Sequence, residues 1–116
     1  MNKKLQAYAT VANFELHGAD FEKRWFESVI MVLTRIQNNY YEPLEAHKKL
    51  IEVCDGLDWI QNNLNDKLSL EHMMLLRQIY SLNIRIIQGA IVDNNMEYLD
   101  IVIPTLKTLI EPYYKK

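Results

Sequence analysis

One cysteine, three glycines and three prolines are all that 116 residues contain of those types, and each shortage excludes something. A lone Cys54 closes no intramolecular disulfide, so this is not a stapled scaffold; no Asn-x-Ser/Thr acceptor for glycans occurs either. Gly18, Gly56 and Gly89 stand far apart, whereas a phosphate loop or dinucleotide fingerprint needs its glycines within a few residues. Little glycine and proline also disfavours a turn-rich β-sandwich and favours long helices. Positive charge shows no excess: 13 Lys and Arg face 15 Asp and Glu, a net charge of -2. Nothing is left over to neutralise a phosphate backbone, so nucleic acid is not an expected partner. No apolar run approaches the roughly 18 residues of a spanning helix, so membrane insertion is not expected. The densest run, Leu82 to Val92, is broken by Asn83, Arg85 and Gln88. Two lysines open the chain without a signal-type apolar stretch behind them, and a cytoplasmic, reducing location is expected.

What the chain does have is apolar spacing of helical period. Hydrophobic residues make up 49% and charged residues 24%, the balance of a globular domain rather than a disordered one. A first segment runs from about Asp20, a candidate N-cap, to Tyr40, with Phe21, Trp25, Val29, Val32 and Ile36 in one lane and Phe26, Ile30 and Leu33 in a second. A second starts at Pro43, which suits the first helical position, and steps through Leu50, Val53, Leu57, Ile60 and Leu64; its other face carries mixed charge. A third opens on Ser69 as N-cap and continues to about Val92. A fourth follows Asp93-Asn94-Asn95 and carries a heptad-like seam of Met96, Leu99, Ile103, Leu106, Ile110 and Tyr113. Pro104 lies inside that seam, which predicts a kink near Asp100 to Ile103 or a split helix. The loops are short, so successive helices are antiparallel neighbours. The expected fold is therefore all-α: an antiparallel up-down four-helix bundle over residues 19–116, one domain, with residues 1–18 as a loosely structured N-terminal arm.

The residues offer no catalytic constellation. His17, His47 and His72 sit in different segments with no Glu-x-x-His pair, so no metal site is expected. Cys54 shares a face with Leu50 and Leu57 and reads as a small packed hydrophobe. Ser28, Ser69 and Ser81 lack a nucleophile-elbow context, and the carboxylates are scattered along polar faces. Small helical mutases grip dianions with clustered basic residues, and Arg24, Arg35, Arg77 and Arg85 are available. Yet no site geometry can be assembled from them, so neither an enzyme nor a cofactor is expected.

The third segment is the most informative. Its apolar arc spans roughly 200° of a helical wheel, where a bundle helix needs roughly 100° or somewhat more. One lane is Met73, Leu76, Tyr80, Ile84, Ile87 and Ile91; another is Leu75, Ile79, Leu82 and Ile86. Such a surplus suits a helix touching several neighbours, a homodimer seam, or a groove for an amphipathic partner helix.

The stretch from Leu76 to Val102 resembles the flagellar export chaperone family called FliS. That family shows an apolar-Tyr pair, an Arg, an apolar residue, an Ala, a short Asn/Asp turn and a Leu-x-x-Val repeat. These correspond here to Ile79-Tyr80, Arg85, Ile87, Ala90, Asp93 to Asn95, and Leu99 with Val102. Trp25-Phe26-Glu27-Ser28-Val29-Ile30 is similar to its Leu-Tyr-Asp-Gly segment in altered form, and Ala7-Tyr8 and Val11 to its N-terminal arm. Gly18-Ala19-Asp20 replaces the family's Ser-Pro helix start, Ile91 its usual Asn, and Tyr113 its final Trp. The resemblance implies a cytoplasmic chaperone that holds the C-terminal segment of flagellin unpolymerised until export. Export-gate or regulatory proteins are further candidate partners, and a helical adaptor of a flagellar or type III secretion machinery with another client is the alternative. On this reading the client surface is Tyr80, Ile84, Ile87 and Ile91, with Tyr98 and Val102 across the turn and Tyr8 on an arm that covers part of the groove until displaced.

Overall fold

A computed structural model describes residues 19–64 and 69–114 of the chain. Four α-helices follow in order: α1 (Ala19–Gln37), α2 (Pro43–Asn62), α3 (Leu70–Asp93) and α4 (Leu99–Tyr114), with a 3-10 turn at Met96–Tyr98 leading into α4. No strand occurs among the described residues. The expected N-terminal arm, Tyr8 included, lies outside them.

The helix ends follow from local chemistry. Asn39 and Asn94 both adopt positive φ, 59° and 50°, a conformation that asparagine tolerates better than most side chains. Each closes a helix by the same pair of bonds. After α1, Tyr40 N–H donates to the Arg35 carbonyl and Asn39 N–H to that of Ile36; after α3, Asn95 N–H donates to Ala90 and Asn94 N–H to Ile91. This is the Schellman arrangement, which satisfies carbonyls the helix would leave orphaned. Pro43 opens α2. Ser69 Oγ accepts from the His72 N–H at 3.2 Å at the start of α3, and Asn95 Oδ1 accepts from Glu97 N–H at 3.0 Å at the 3-10 turn.

Two expectations about boundaries are corrected. Asp20 lies inside α1 rather than capping it. Pro104 does not split the last helix: α4 is continuous through it, and the interruption falls earlier, in the 3-10 turn. Pro104 sits in the second turn of α4, where its missing N–H orphans only the Asp100 carbonyl, and it faces solvent.

The helices run antiparallel and pack most extensively as two pairs, α2 with α3 and α1 with α4; the α1–α2 and α3–α4 seams are thinner. Side-chain bonds at the bundle ends mark the sense of the chain. Arg77 Nε donates to the Gln61 carbonyl at 3.2 Å and Ser81 Oγ to Gln61 Oε1 at 2.6 Å, tying the end of α2 to the first half of α3. Gln37 Nε2 donates to Asp100 Oδ1 at 2.6 Å, tying the end of α1 to the start of α4. His47 Nε2 lies 3.2 Å from Asn94 Oδ1, joining the start of α2 to the end of α3.

Each helix buries residues at alternating steps of three and four. Phe26, Val29, Leu33 and Ile36 come from α1; Leu50, Val53, Leu57 and Ile60 from α2; Leu99, Ile103, Leu106 and Ile110 from α4. The α3 stripe is Tyr80, Asn83, Ile87 and Ala90. Phe26 lies parallel to Tyr80 with ring centroids 6.4 Å apart, and Trp25 meets Phe26 edge-on at 5.1 Å. Asn83 is the exception in an apolar interior, 1% exposed. Its Nδ2 donates back to the Ile79 carbonyl at 2.8 Å, while its Oδ1 finds no hydrogen-bond partner among the described residues. A buried acceptor left unpaired costs about 1–3 kcal/mol.

The Trp25 ring lies directly over Gly56, and a Cβ added there would overlap it. In an open helix Gly→Ala stabilises by about 1 kcal/mol. Here the indole is held by Phe26 and must move, so Gly56→Ala is expected to destabilise by about 1–3 kcal/mol instead. A lower urea midpoint at unchanged slope is the expected result, and a raised midpoint would contradict the packing.

Candidate partner-binding face

Around its circumference α3 meets three environments. Tyr80, Asn83, Ile87 and Ala90 point into the core. On one flank Ile84 and Ile91 are half-buried, and the Cys54 thiol lies 3.9 Å from the Ile84 carbonyl, so this flank faces α2. On the other flank Leu75, Ile79, Leu82 and Ile86 form a strip at steps of four, three and four, which keeps them within about 60° of one another on the wheel. Leu75 and Leu82 are 52% and 55% exposed, and Ile79 and Ile86 are half-buried. The other exposed apolar residues include Leu70, Met74 and Val92 on α3 itself, Leu44 and Ile51 on α2, and Met31 and Ile101 on α1 and α4.

Gln78 and Arg85 border the strip on its Leu82 side, while Ser81 and Arg77 stand further round the polar face, where both bond Gln61 of α2. With Leu82 they line a shallow open depression of about 370 Å³. A larger depression of about 480 Å³, between α1 and α4, has Glu27, Lys107 and Glu111 on its rim and mixes both signs of charge. The α3 side does not mix them: from His72 to Val92 there is no Asp or Glu.

The expected client residues separate accordingly. Tyr80, Ile87 and Val102 are enclosed, 3%, 0% and 0% exposed, and present no area to a partner in this state. The reason is geometric. The midpoint of the α3 apolar arc falls near Asn83, so residues close to it point at the bundle axis; Val102 lies in the buried stripe of α4. Ile84 and Ile91 are half-buried against the core. Tyr98 is also half-buried; its ring lies 3.5 Å from where a Gly89 Cβ would stand, and its hydroxyl donates to Asp93 Oδ2 at 2.6 Å. That hydrogen bond, with the carboxylate's charge, raises the Tyr98 pKa above its ordinary value. The open surface is the second lane, Leu75, Ile79, Leu82 and Ile86, visible in the periodicity but not chosen from it.

The remaining chemistry is structural. Cys54 is buried, and its thiol is pushed up to about 12, by desolvation first and by the charges of Asp55 and Asp58 second. A thiol held protonated at neutral pH is a packing group rather than a nucleophile. Among the described residues no three His, Cys, Asp or Glu side chains gather where a metal ion could sit, and no helix is long and apolar enough to cross a membrane. No family model, curated protein or solved structure matches this chain.

Two predictions follow from these exposures. Leu82→Ser is expected to change stability by about 0.5 kcal/mol or less, as exposed substitutions do, whereas Ile87→Ala should cost about 2–5 kcal/mol. Thermal unfolding of the pair checks this, and equal losses would show that the strip is covered. The folded thiol binds its proton more tightly than an exposed one, which titrates near 9.0. Its contribution to stability is therefore complete below about pH 8.5 and is lost as pH climbs toward 12, because the unfolded chain releases a proton that the folded chain keeps. Urea melts at pH 8 and pH 10.5 should show a fall in stability that Cys54→Ala makes smaller; an identical fall in both proteins would contradict the burial.

Proposed function

We propose that this chain is an export chaperone of the FliS type, which binds the C-terminal segment of flagellin and keeps it from polymerising before export. The observation that carries the reading is the half-open strip of Leu75, Ile79, Leu82 and Ile86 along α3, beside the buried stripe of Tyr80, Asn83, Ile87 and Ala90. Its support is twofold: the residue pattern from Leu76 to Val102, and an all-helical body whose α3 has more apolar circumference than its neighbours cover. A strip with anchors at these spacings suits helix-in-groove recognition, in which the partner lays its own apolar face along it. A flagellin tail that folds on binding pays its ordering entropy at that moment, which keeps the complex releasable at the export gate. While bound, the tail has its filament-packing face masked.

The test is titration of the C-terminal segment of the cognate flagellin into the full-length chain. A complex at micromolar concentration is expected, with the double variant Leu75→Ser, Leu82→Ser at least about tenfold weaker, since central apolar anchors each contribute above 1 kcal/mol. No complex at tens of micromolar would overturn the client assignment. An unchanged affinity in the double variant would move the site off α3.

A further inference from the structure

We infer that the bundle is a clamshell: the α1–α4 pair swings away from the α2–α3 pair about one end of the molecule, and the mouth lies at the other end. The inference goes beyond the proposed function and does not depend on which client the chain holds.

Topology and bonding carry it. The helices pack most extensively as two pairs, α1 with α4 and α2 with α3. Two stretches of chain cross between the pairs, residues 38–42 after α1 and residues 94–98 after α3. In an antiparallel bundle both crossings stand at the same end. The third connection, from α2 to α3, stands at the opposite end and stays inside one pair. Each crossing holds an asparagine of positive φ, Asn39 or Asn94, and such helix-terminal positions are where hinges absorb changes of φ and ψ. Among the described residues, every side-chain hydrogen bond between two α-helices falls inside a pair. Gln37 with Asp100 joins α1 to α4. Cys54 with the Ile84 carbonyl, and Arg77 and Ser81 with Gln61, join α2 to α3. His47 with Asn94, just past α3, adds to the second pair. The side-chain bonds made to the second crossing, Gln37 to the Met96 carbonyl at 3.4 Å and Tyr98 to Asp93 at 2.6 Å, lie at the hinge end.

Toward the mouth the pairs meet through rings and aliphatic groups. Phe26 of α1 lies parallel to Tyr80 of α3 with centroids 6.4 Å apart, and the Trp25 ring lies over Gly56 of α2. Phe26 is about 16 Å along α1 from Gln37, its last residue at the hinge end. Apolar contact is non-directional, so this seam parts and closes again while the bonded pairs stay whole. Asn83, 1% exposed on the core-facing stripe of α3, keeps an oxygen that finds no partner among the described residues. A buried acceptor of this kind favours any state that wets it, and parting the pairs wets it without unwinding a helix. Opening also widens the α3–α4 seam, so that the Tyr80 and Ile87 side of α3 joins the exposed strip.

The experiment reads thiol accessibility in the full-length chain, from native conditions into rising urea. Cys54 is the reporter inside a pair. Val29, 6% exposed on the core-facing side of α1, supplies the reporter between pairs as Val29→Cys in a Cys54→Ala background. Val53→Cys, on the core-facing stripe of α2, reads the same seam from the other pair. The thiol at residue 29 or 53 is expected to react with dithionitrobenzoate at least about tenfold faster than global unfolding of the same variant allows. Its urea slope should be smaller than the global one, because parting the pairs exposes less surface than unfolding does. Cys54 in the parent should follow the global slope. Amide exchange shows whether the helix stays whole: backbone amides around residue 29 should keep their global protection while the thiol reacts. Asn83→Leu in the same background should slow the reaction at least about fivefold, since the oxygen that favours the wet state is gone. A global slope at residues 29 and 53 would overturn the inference. So would amides of α1 that exchange in step with the thiol, which is one helix unravelling. An unchanged or faster reaction in Asn83→Leu would overturn the part given to Asn83.

Discussion

The molecule is organised around a mismatch on one helix. α3 is apolar over about twice the arc that a bundle helix needs, and its neighbours cover only part of it. α2 takes one flank and the bundle axis takes the middle, while the thinner seam toward α4 leaves Leu75 and Leu82 half in water. Burying a leucine fully is worth about 1.5–3 kcal/mol relative to exposure. An uncovered strip of this kind forgoes stability within the monomer and makes the same free energy available to association.

The rest of the structure holds that strip in place. The Schellman closures at Asn39 and Asn94 fix where α1 and α3 stop. The Gln37–Asp100 and Gln61–Ser81 bonds fix how the helix pairs meet at the bundle ends. Asn83 works in the same direction at a cost. A buried amide with an unpaired oxygen is worse for stability than a leucine of similar size. Polar residues at core-facing positions of helical assemblies are retained where they specify register, and here register decides which side of α3 points outward. A slip of one residue would rotate α3 by about 100° and put Ser81, Ile84, Gln88 and Ile91, or Ile79, Leu82, Ile86 and Gly89, where Tyr80, Asn83, Ile87 and Ala90 now stand.

Most of the architecture was legible in the residues because it rests on local signals. The 3.6 period, Pro43, Ser69 and the Asn pairs placed the helices to within about three residues, and the buried stripe of α2 matches its sequence lane from Leu50 to Ile60. Pro104 misled because a proline reads as a break unless one knows how many turns precede it; the 3-10 turn puts it in the second turn of α4, where the lost bond costs little. The face of α3 was the harder problem. A wheel shows how wide an apolar arc is but not where the neighbours lie, and a lane containing a tyrosine and three isoleucines looked the more functional of two. The midpoint of the arc, at Asn83, was the usable clue. The centre of a wide arc faces the core and its edges face the gaps, so Tyr80 and Ile87 belong inside and Leu75 and Leu82 at the rim.

The account stands on the claim that another chain covers the α3 strip. The most direct measurement is a methyl NMR titration of the isotopically labelled protein with the flagellin C-terminal segment. The account predicts that the methyl signals of Leu75, Ile79, Leu82 and Ile86 move first and furthest, while those of Leu33, Leu50, Leu57 and Leu106 stay in place. Perturbations centred on another helix, or spread evenly through the core with the α3 strip unmoved, would contradict it.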